Sequence, residues 1–225
     1  MSILLDQKVN VIPHPFLVIC EGYSDAKFIA ELIKHIGITN CNVGCPSRTG
    51  GHGDGKGAIP SYLEAVRASI EAGKAKLQGI LVVVDADGNE EEIFTGIADG
   101  LEGAGFHRPS NSFRVEGDRV RSAIFLIPGE HRNGTLEHIL WDAAVQKNPS
   151  VEGCVESFTK CMGDVLASCS ENQRAKIKMS ALVAASCKDN PWASCAMIWS
   201  DRGNPVPIDS DCFSHISDFL VNFTS

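Results

Sequence analysis

The stretch that most constrains this chain is Leu81-Val82-Val83-Val84-Asp85-Ala86-Asp87-Gly88-Asn89. Four consecutive apolar residues, three of them β-branched, describe a strand buried on both faces, as in the parallel sheet of an α/β domain. Two aspartates one residue apart follow at once, and Gly88-Asn89 turns the chain. Ligands of open parallel sheets bind at the carboxyl ends of the strands, so a D-x-D there puts two hard oxygen ligands where chemistry usually occurs. The same pair also reads as two solvated carboxylates that cap the next helix.

The neighbouring sequence supplies the elements such a strand needs. Residues 16–20 are an apolar first strand, followed by Glu21-Gly22-Tyr23-Ser24-Asp25. Ser24 is the expected N-cap of a helix whose stripe is Phe28, Ile29, Leu32, Ile33 and Ile36, and Gly37 ends it. A short second strand is expected over 41–45, a helix over 59–72, and a helix over 90–103 with the acidic first turn Glu90, Glu91, Glu92. The fourth strand is expected over 122–127, with a hairpin partner near 113–115, and a helix follows from Leu136 to about residue 145.

The character changes at Asn148-Pro149. Residues 151–187 read as helical throughout, 190–206 as turn-rich, and 214–223 as an amphipathic helix. The expected fold is α/β, a central parallel sheet of about four strands flanked by helices over residues 1–148. Residues 149–225 are expected to form a mostly helical C-terminal extension packed on the same domain.

Totals narrow the class. Hydrophobic content of 44% and charged content of 21% over 225 residues describe an ordinary soluble globular protein. No apolar run reaches the length of a membrane span, and the N-terminus lacks the pattern of a signal peptide, so no membrane role and a cytoplasmic location are expected. Nine cysteines without regular spacing argue against a disulfide framework, and Cys41-x-x-x-Cys45 lacks a second pair to complete a zinc site. A net charge of −8 disfavours indiscriminate nucleic-acid binding, yet it is compatible with an acidic centre neutralised by metal.

Glu21 directly follows the first strand, and Asp85 and Asp87 follow the third. If both strands are parallel and central, the three carboxylates meet at one sheet edge, a costly cluster that suits Mg²⁺ or Mn²⁺. Strand-Glu-Gly-x-x-Asp-helix followed by strand-Asp-x-Asp-Gly resembles the Toprim domain of topoisomerases, bacterial primases and several nucleases, most closely its OLD-type (overcoming lysogenization defect) nuclease members. The resemblance covers residues 16–145 and implies a Rossmann-like sheet. It implies Glu21 as general acid/base or metal ligand, Asp85 and Asp87 as the metal pair, and Asp25 as a further acid. Gly134-Thr135-Leu136-Glu137 is similar to the Leu-Glu element of OLD-type members, where Glu137 would help bind a second metal, so one or two ions are implied. Glu137 and Asp25 also read as ordinary first-turn helix residues.

OLD-type members also use a lysine from a later segment, and Asn172-Gln-Arg174-Ala-Lys176-Ile-Lys178 is the basic run there. The resemblance matches Lys178 in preference to Lys176, to stabilise charge on phosphoryl oxygens; a solvated helix face is the ordinary reading of both. It implies metal-dependent cleavage of DNA or RNA, with a separate ATPase subunit and a homodimer among the arrangements it allows. A non-catalytic module binding nucleic acid or an ATPase, and a small-molecule phosphatase with Asp85 as nucleophile, are the competing readings.

Gly50-x-x-x-x-Gly55-Lys56 satisfies most of a P-loop, but Gly57 stands where the Mg²⁺-binding hydroxyl belongs. Residues 48–57 therefore read as a surface loop near the active edge, with Arg48, His52 and Lys56 available to phosphate. His107, His131, His138 and His215 form no spaced metal set, although His131 and Arg132 precede the Leu-Glu element.

Overall fold

The computed structural model describes residues 12–48, 55–130 and 132–225. The expectations for His52, His131 and the Arg48 side chain lie outside the described residues.

Strand β1 (Phe16–Cys20) leads into helix α1 (Tyr23–His35), then β2 (Cys41–Gly44), α2 (Ile59–Glu71), β3 (Gly79–Asp85), α3 (Glu90–Gly103), β4 (Arg121–Ile127) and α4 (Leu136–Lys147). The extension holds α5 (Ser150–Cys161), the single turn α6 (Gly163–Leu166), α7 (Glu171–Ser186) and α8 (Ser214–Thr224). The four strands are all parallel in the order β2-β1-β3-β4. This is the α/β architecture that the apolar runs call for.

Period-two alternation sorts each central strand between two cores. Leu17, Ile19, Ile80, Val82 and Val84 face α2 and α3. Val18, Cys20, Leu81 and Val83 face the other way, into a core shared with α1, α4, α7 and α8. Residues of the extension thus complete the second layer rather than forming a core of their own. The chain leaves β1 for β2 on one side and β3 for β4 on the other, so the topological switch lies between β1 and β3. A crevice outside the carboxyl ends of those two strands follows from that order.

The amino ends of the same strands are closed by α8. Phe223 meets Phe16 edge-on with ring centroids 5.3 Å apart. Gly79 opens β3 beneath both rings, where an added Cβ would lie 2.8 Å from Phe16 and 2.9 Å from Phe223. Arg121 donates hydrogen bonds to the carbonyls of Phe223 (3.1 Å) and Ser225 (3.0 Å).

Three local expectations are corrected. The N-cap of α1 is Gly22, not Ser24, because Asp25 turns back to accept the Gly22 N–H at 3.0 Å and takes over the capping role. The helical run over 151–187 breaks after α5 and again before α7, where Ser170 and Gln173 cap a fresh start reciprocally. The hairpin partner of β4 shrinks to a single antiparallel bridge between Glu116 and Ser122. Phe113 adopts φ 62° there, yet its N–H reaches the Ile124 carbonyl at 2.8 Å and its ring packs on Phe125.

Among the described residues no helix is long and apolar enough to cross a membrane. All nine cysteines are free thiols.

Candidate functional site

The carboxyl ends of β1 and β3 emerge side by side. The Glu21 N–H donates to the Val83 carbonyl at 3.1 Å, so the glutamate is fixed against the last turns of β3 before either aspartate appears. One residue past β3, Ala86 pairs with Gly134, whose N–H reaches the Ala86 carbonyl at 3.0 Å. That bridge seats the N-terminus of α4 directly on the D-x-D. The Leu136 N–H then donates to Asp85 Oδ1 at 3.0 Å, an unpaired helix-end donor meeting a carboxylate.

Around this junction Thr135 is fully buried and donates through Oγ1 to Glu137 Oε2 at 2.7 Å. His138 folds back so that its Nδ1 accepts the Thr135 N–H at 3.0 Å. The Gly-Thr-Leu-Glu element is therefore a helix start in which the Thr135 hydroxyl holds Glu137, the Thr135 N–H holds His138, and the Leu136 N–H faces Asp85.

The structure brings four of the sequence-derived acids into mutual electrostatic reach: Glu21, Asp25, Asp85 and Glu137. Burial holds the Asp85 carboxyl well above the usual range, and the charges of Asp25, Glu21 and Glu137 push it further up; the Leu136 N–H opposes this. Asp25 is raised by burial and then by Glu21 and Glu137. Glu21 is raised by burial, while Lys56 and a backbone hydrogen bond from Asp85 work in the opposite direction. Glu21 Oε2 is shielded from solvent and has no hydrogen-bond partner among the described residues.

Asp87 stands differently. It is exposed, and its Oδ1 accepts a hydrogen bond from Lys56. The Lys56 ammonium also lies 3.9 Å from Glu21 Oε2, so it joins the two halves of the motif. Sequence reasoning read Lys56 as a loop side chain facing phosphate; its charge is directed instead at the site's own acids.

Among the described residues no three His, Cys, Asp or Glu side chains are already set around one point as the ligands of a metal would be. The donor set nonetheless fits a hard divalent cation in kind. It consists of carboxylate oxygens, one of them buried without a hydrogen-bond partner, and it already draws an ammonium between Glu21 and Asp87.

The two lysines of α7 part company. Lys178 lies over the Trp141 ring, 5.5 Å from its centroid, and is not directed at the carboxylates. Lys176, one residue of the same helix that the resemblance passed over, exerts its charge on Glu21. The helical period explains the exchange, since residues two apart face different directions. Lys178, Lys160, Arg174, His138 and Trp141 instead line a groove of about 810 Å³ between α4 and α5–α7. A smaller recess of about 290 Å³ opens beside Asp87, between Gly88, Gly134 and the start of α7.

The extension also reaches the acids. Burial together with the charges of Glu137 and Asp25 pushes the Cys195 thiol up to about 12. Nothing in the sequence around Ala193-Ser-Cys195 signals that approach. The histidines take structural posts: Nε2 of His215 bonds the Pro128 carbonyl at 2.7 Å, and His107 pairs with Glu116 at 3.5 Å. Arg132 bridges to Asp142 at 2.9 Å, turned along α4 rather than toward the carboxylates.

A profile of proteins of unknown function, DUF3226, matches residues 15–221. The chain belongs to that family. The match runs from the lead-in of β1 into α8, so sheet and extension fall within one DUF3226 unit. No curated protein and no solved structure matches the chain significantly.

Proposed function

We propose that this DUF3226 protein hydrolyses phosphodiester bonds of DNA or RNA with Mg²⁺ or Mn²⁺ as cofactor, at a Toprim-like site built on β1, β3 and α4. The observation that carries the reading is the gathering of Glu21, Asp25, Asp85 and Glu137 from separate stretches of chain at the switch point of the sheet. Burying like charges together is unfavourable, and such arrangements concentrate where function requires them.

Glu21, Asp85 and Asp87 would hold the cation, with Asp25 and Glu137 beside them. When bound, it supplies Lewis-acid charge to phosphoryl oxygens and lowers the pKa of a bound water. The chain's own groups do the rest. Leu136 N–H orients Asp85, and the Thr135 hydroxyl orients Glu137. Glu21 Oε2, which has no hydrogen bond among the described residues, would accept a proton, and Lys176 would contribute positive charge nearby. The groove along Trp141 offers an aromatic face with Lys160, Arg174 and Lys178 to a base and its phosphate, although Asp142, Glu156 and Glu171 line it too and offset that charge.

A second reading has its own support. Trp192 is 93% exposed and Met197 is 51% exposed on the extension, and these are the apolar side chains that a module docking on a protein partner would use.

The deciding experiment is cleavage of plasmid, linear DNA and structured RNA across Mg²⁺ and Mn²⁺ titrations, with Glu21→Gln and Asp85→Asn alongside. Metal-dependent cleavage lost in both variants establishes the nuclease. Silence on every substrate while the metal still binds favours the docking module, and cleavage persisting in both variants removes the site altogether.

A further inference from the structure

We infer that Lys56 is the resident cation of the carboxylate cluster, and that a divalent cation must displace its ammonium in order to bind. The inference rests on the metal-dependent reading above and deepens it, by naming what controls loading of the site.

The argument begins with placement. Lys56 opens a 3₁₀ turn over Lys56–Ala58, far from the acids in sequence and carried by neither motif. Gly55 precedes it at φ 75°, a left-handed conformation that bulkier residues resist, and Gly57 follows. The backbone there passes close over the acids, since a Cβ at Gly55 would stand 4.0 Å from Glu21 Oε1. The side chain is 25% exposed, and its ammonium bonds Asp87 while lying 3.9 Å from Glu21 Oε2.

The contacts are made to two of the three acids that would hold the metal. Glu21 Oε2 finds no hydrogen bond among the described residues, so this ammonium is the positive charge recorded nearest to it. A dication between the same oxygens would repel an ammonium held against them. Lysine suits an occupant that can leave: a compact charge on a flexible four-carbon stem, next to solvent. An arginine fork would hold a carboxylate with two parallel bonds and yield less easily.

Competition predicts an inverse relation between Lys56 and metal affinity. Mn²⁺ binding to the full chain, measured by calorimetry, is expected to be about tenfold tighter in Lys56→Gln than in wild type. Lys56→Arg is expected to stay at or below wild-type affinity. Lysine-directed acetylation read by mass spectrometry gives a second view on the unmutated protein, with Lys56 labelling rising as Mg²⁺ saturates. Unchanged or weaker Mn²⁺ binding in Lys56→Gln, with binding still lost in Asp85→Asn, overturns the competition and leaves the metal site standing. If wild type binds no Mn²⁺, or Asp85→Asn binds it as wild type does, the metal site itself falls and the competition with it.

Discussion

The two ends of the β1–β3 pair are built to opposite rules. At the amino end, Phe16, Phe223 and Gly79 are packed to contact, and the carbonyls that finish α8 are taken up by Arg121. At the carboxyl end, four acids crowd together, one oxygen lacks a hydrogen bond among the described residues, and a lysine is drawn in from another loop. The same two strands thus carry a satisfied end and a frustrated one. Such a division is expected when one end stabilises and the other is reserved for chemistry, because a reactive arrangement is tolerated only where the rest of the fold holds it in place.

The contrast can be broken from the packed end first. Phe223→Ala removes the ring that covers Gly79 and Phe16, and is expected to lower unfolding free energy by about 3–5 kcal/mol in denaturant titrations. Mn²⁺ affinity of the folded fraction should be unchanged, because the change lies at the opposite end of the strands.

Asp85→Asn attacks the other end and should do the reverse. It keeps an oxygen for the Leu136 N–H while removing a charge that its neighbours oppose. Metal-dependent cleavage is expected to fall by at least about 10³-fold, and thermal stability at pH 7.5 without divalent cation to rise by about 1–2 kcal/mol. A variant that loses both activity and stability would erase the division of labour.

The pH profile sharpens the same point. Asp85, Asp25 and Glu21 titrate above the usual carboxylate range in the folded chain, whereas unfolded carboxyls titrate near pH 4. Between those values the native state holds more protons than the unfolded state, so its stability falls as pH rises. In chelator, unfolding free energy is expected to drop by about 2 kcal/mol from pH 5 to pH 8, and Asp85→Asn should flatten that slope. A flat wild-type profile would mean that the acids are better solvated than their placement indicates.

The smallest effect concerns how far the proposed site extends along α4. Trp141→Ala is expected to weaken binding of a single-stranded oligonucleotide about tenfold by fluorescence anisotropy. Equal binding by variant and wild type would confine the site to the carboxylates.

Much of this was legible beforehand, for identifiable reasons. The sheet was readable because Val82-Val83-Val84 and Phe16–Cys20 are apolar on both faces, a pattern that admits few alternatives. Strand order alone drew Glu21, Asp85 and Asp87 to one sheet edge, while Asp25 and Glu137 entered only through the resemblance to Toprim domains. What escaped depended on side-chain direction or on chain returning from afar. Lys176 and Lys178 differ only in helical phase, and a loose likeness in sequence cannot resolve phase. Lys56 was hidden in a glycine-dense stretch that, once the P-loop was set aside at Gly57, read as an ordinary surface loop near the active edge. Cys195 comes near Glu137 only because the extension folds back over the sheet. The break before α7 did carry a local signal, Ser170-x-x-Gln173, a capping box inside what otherwise reads as uninterrupted helix.

The bridge at Glu116 has a consequence for how molecules of this protein meet one another. An outermost strand such as β4 offers unpaired backbone groups to any extended segment nearby, including the same strand of a second molecule. Phe113 donates its N–H to Ile124, and Glu116 exchanges two backbone bonds with Ser122, at 3.0 and 2.7 Å. A short irregular segment thus takes up the outer bonds of β4 at Ser122 and Ile124 without forming a strand that would itself need a neighbour. Its left-handed turn at Phe113 keeps this rim from presenting a straight template, so a second extended chain would have to displace the segment before it could pair with the start of β4.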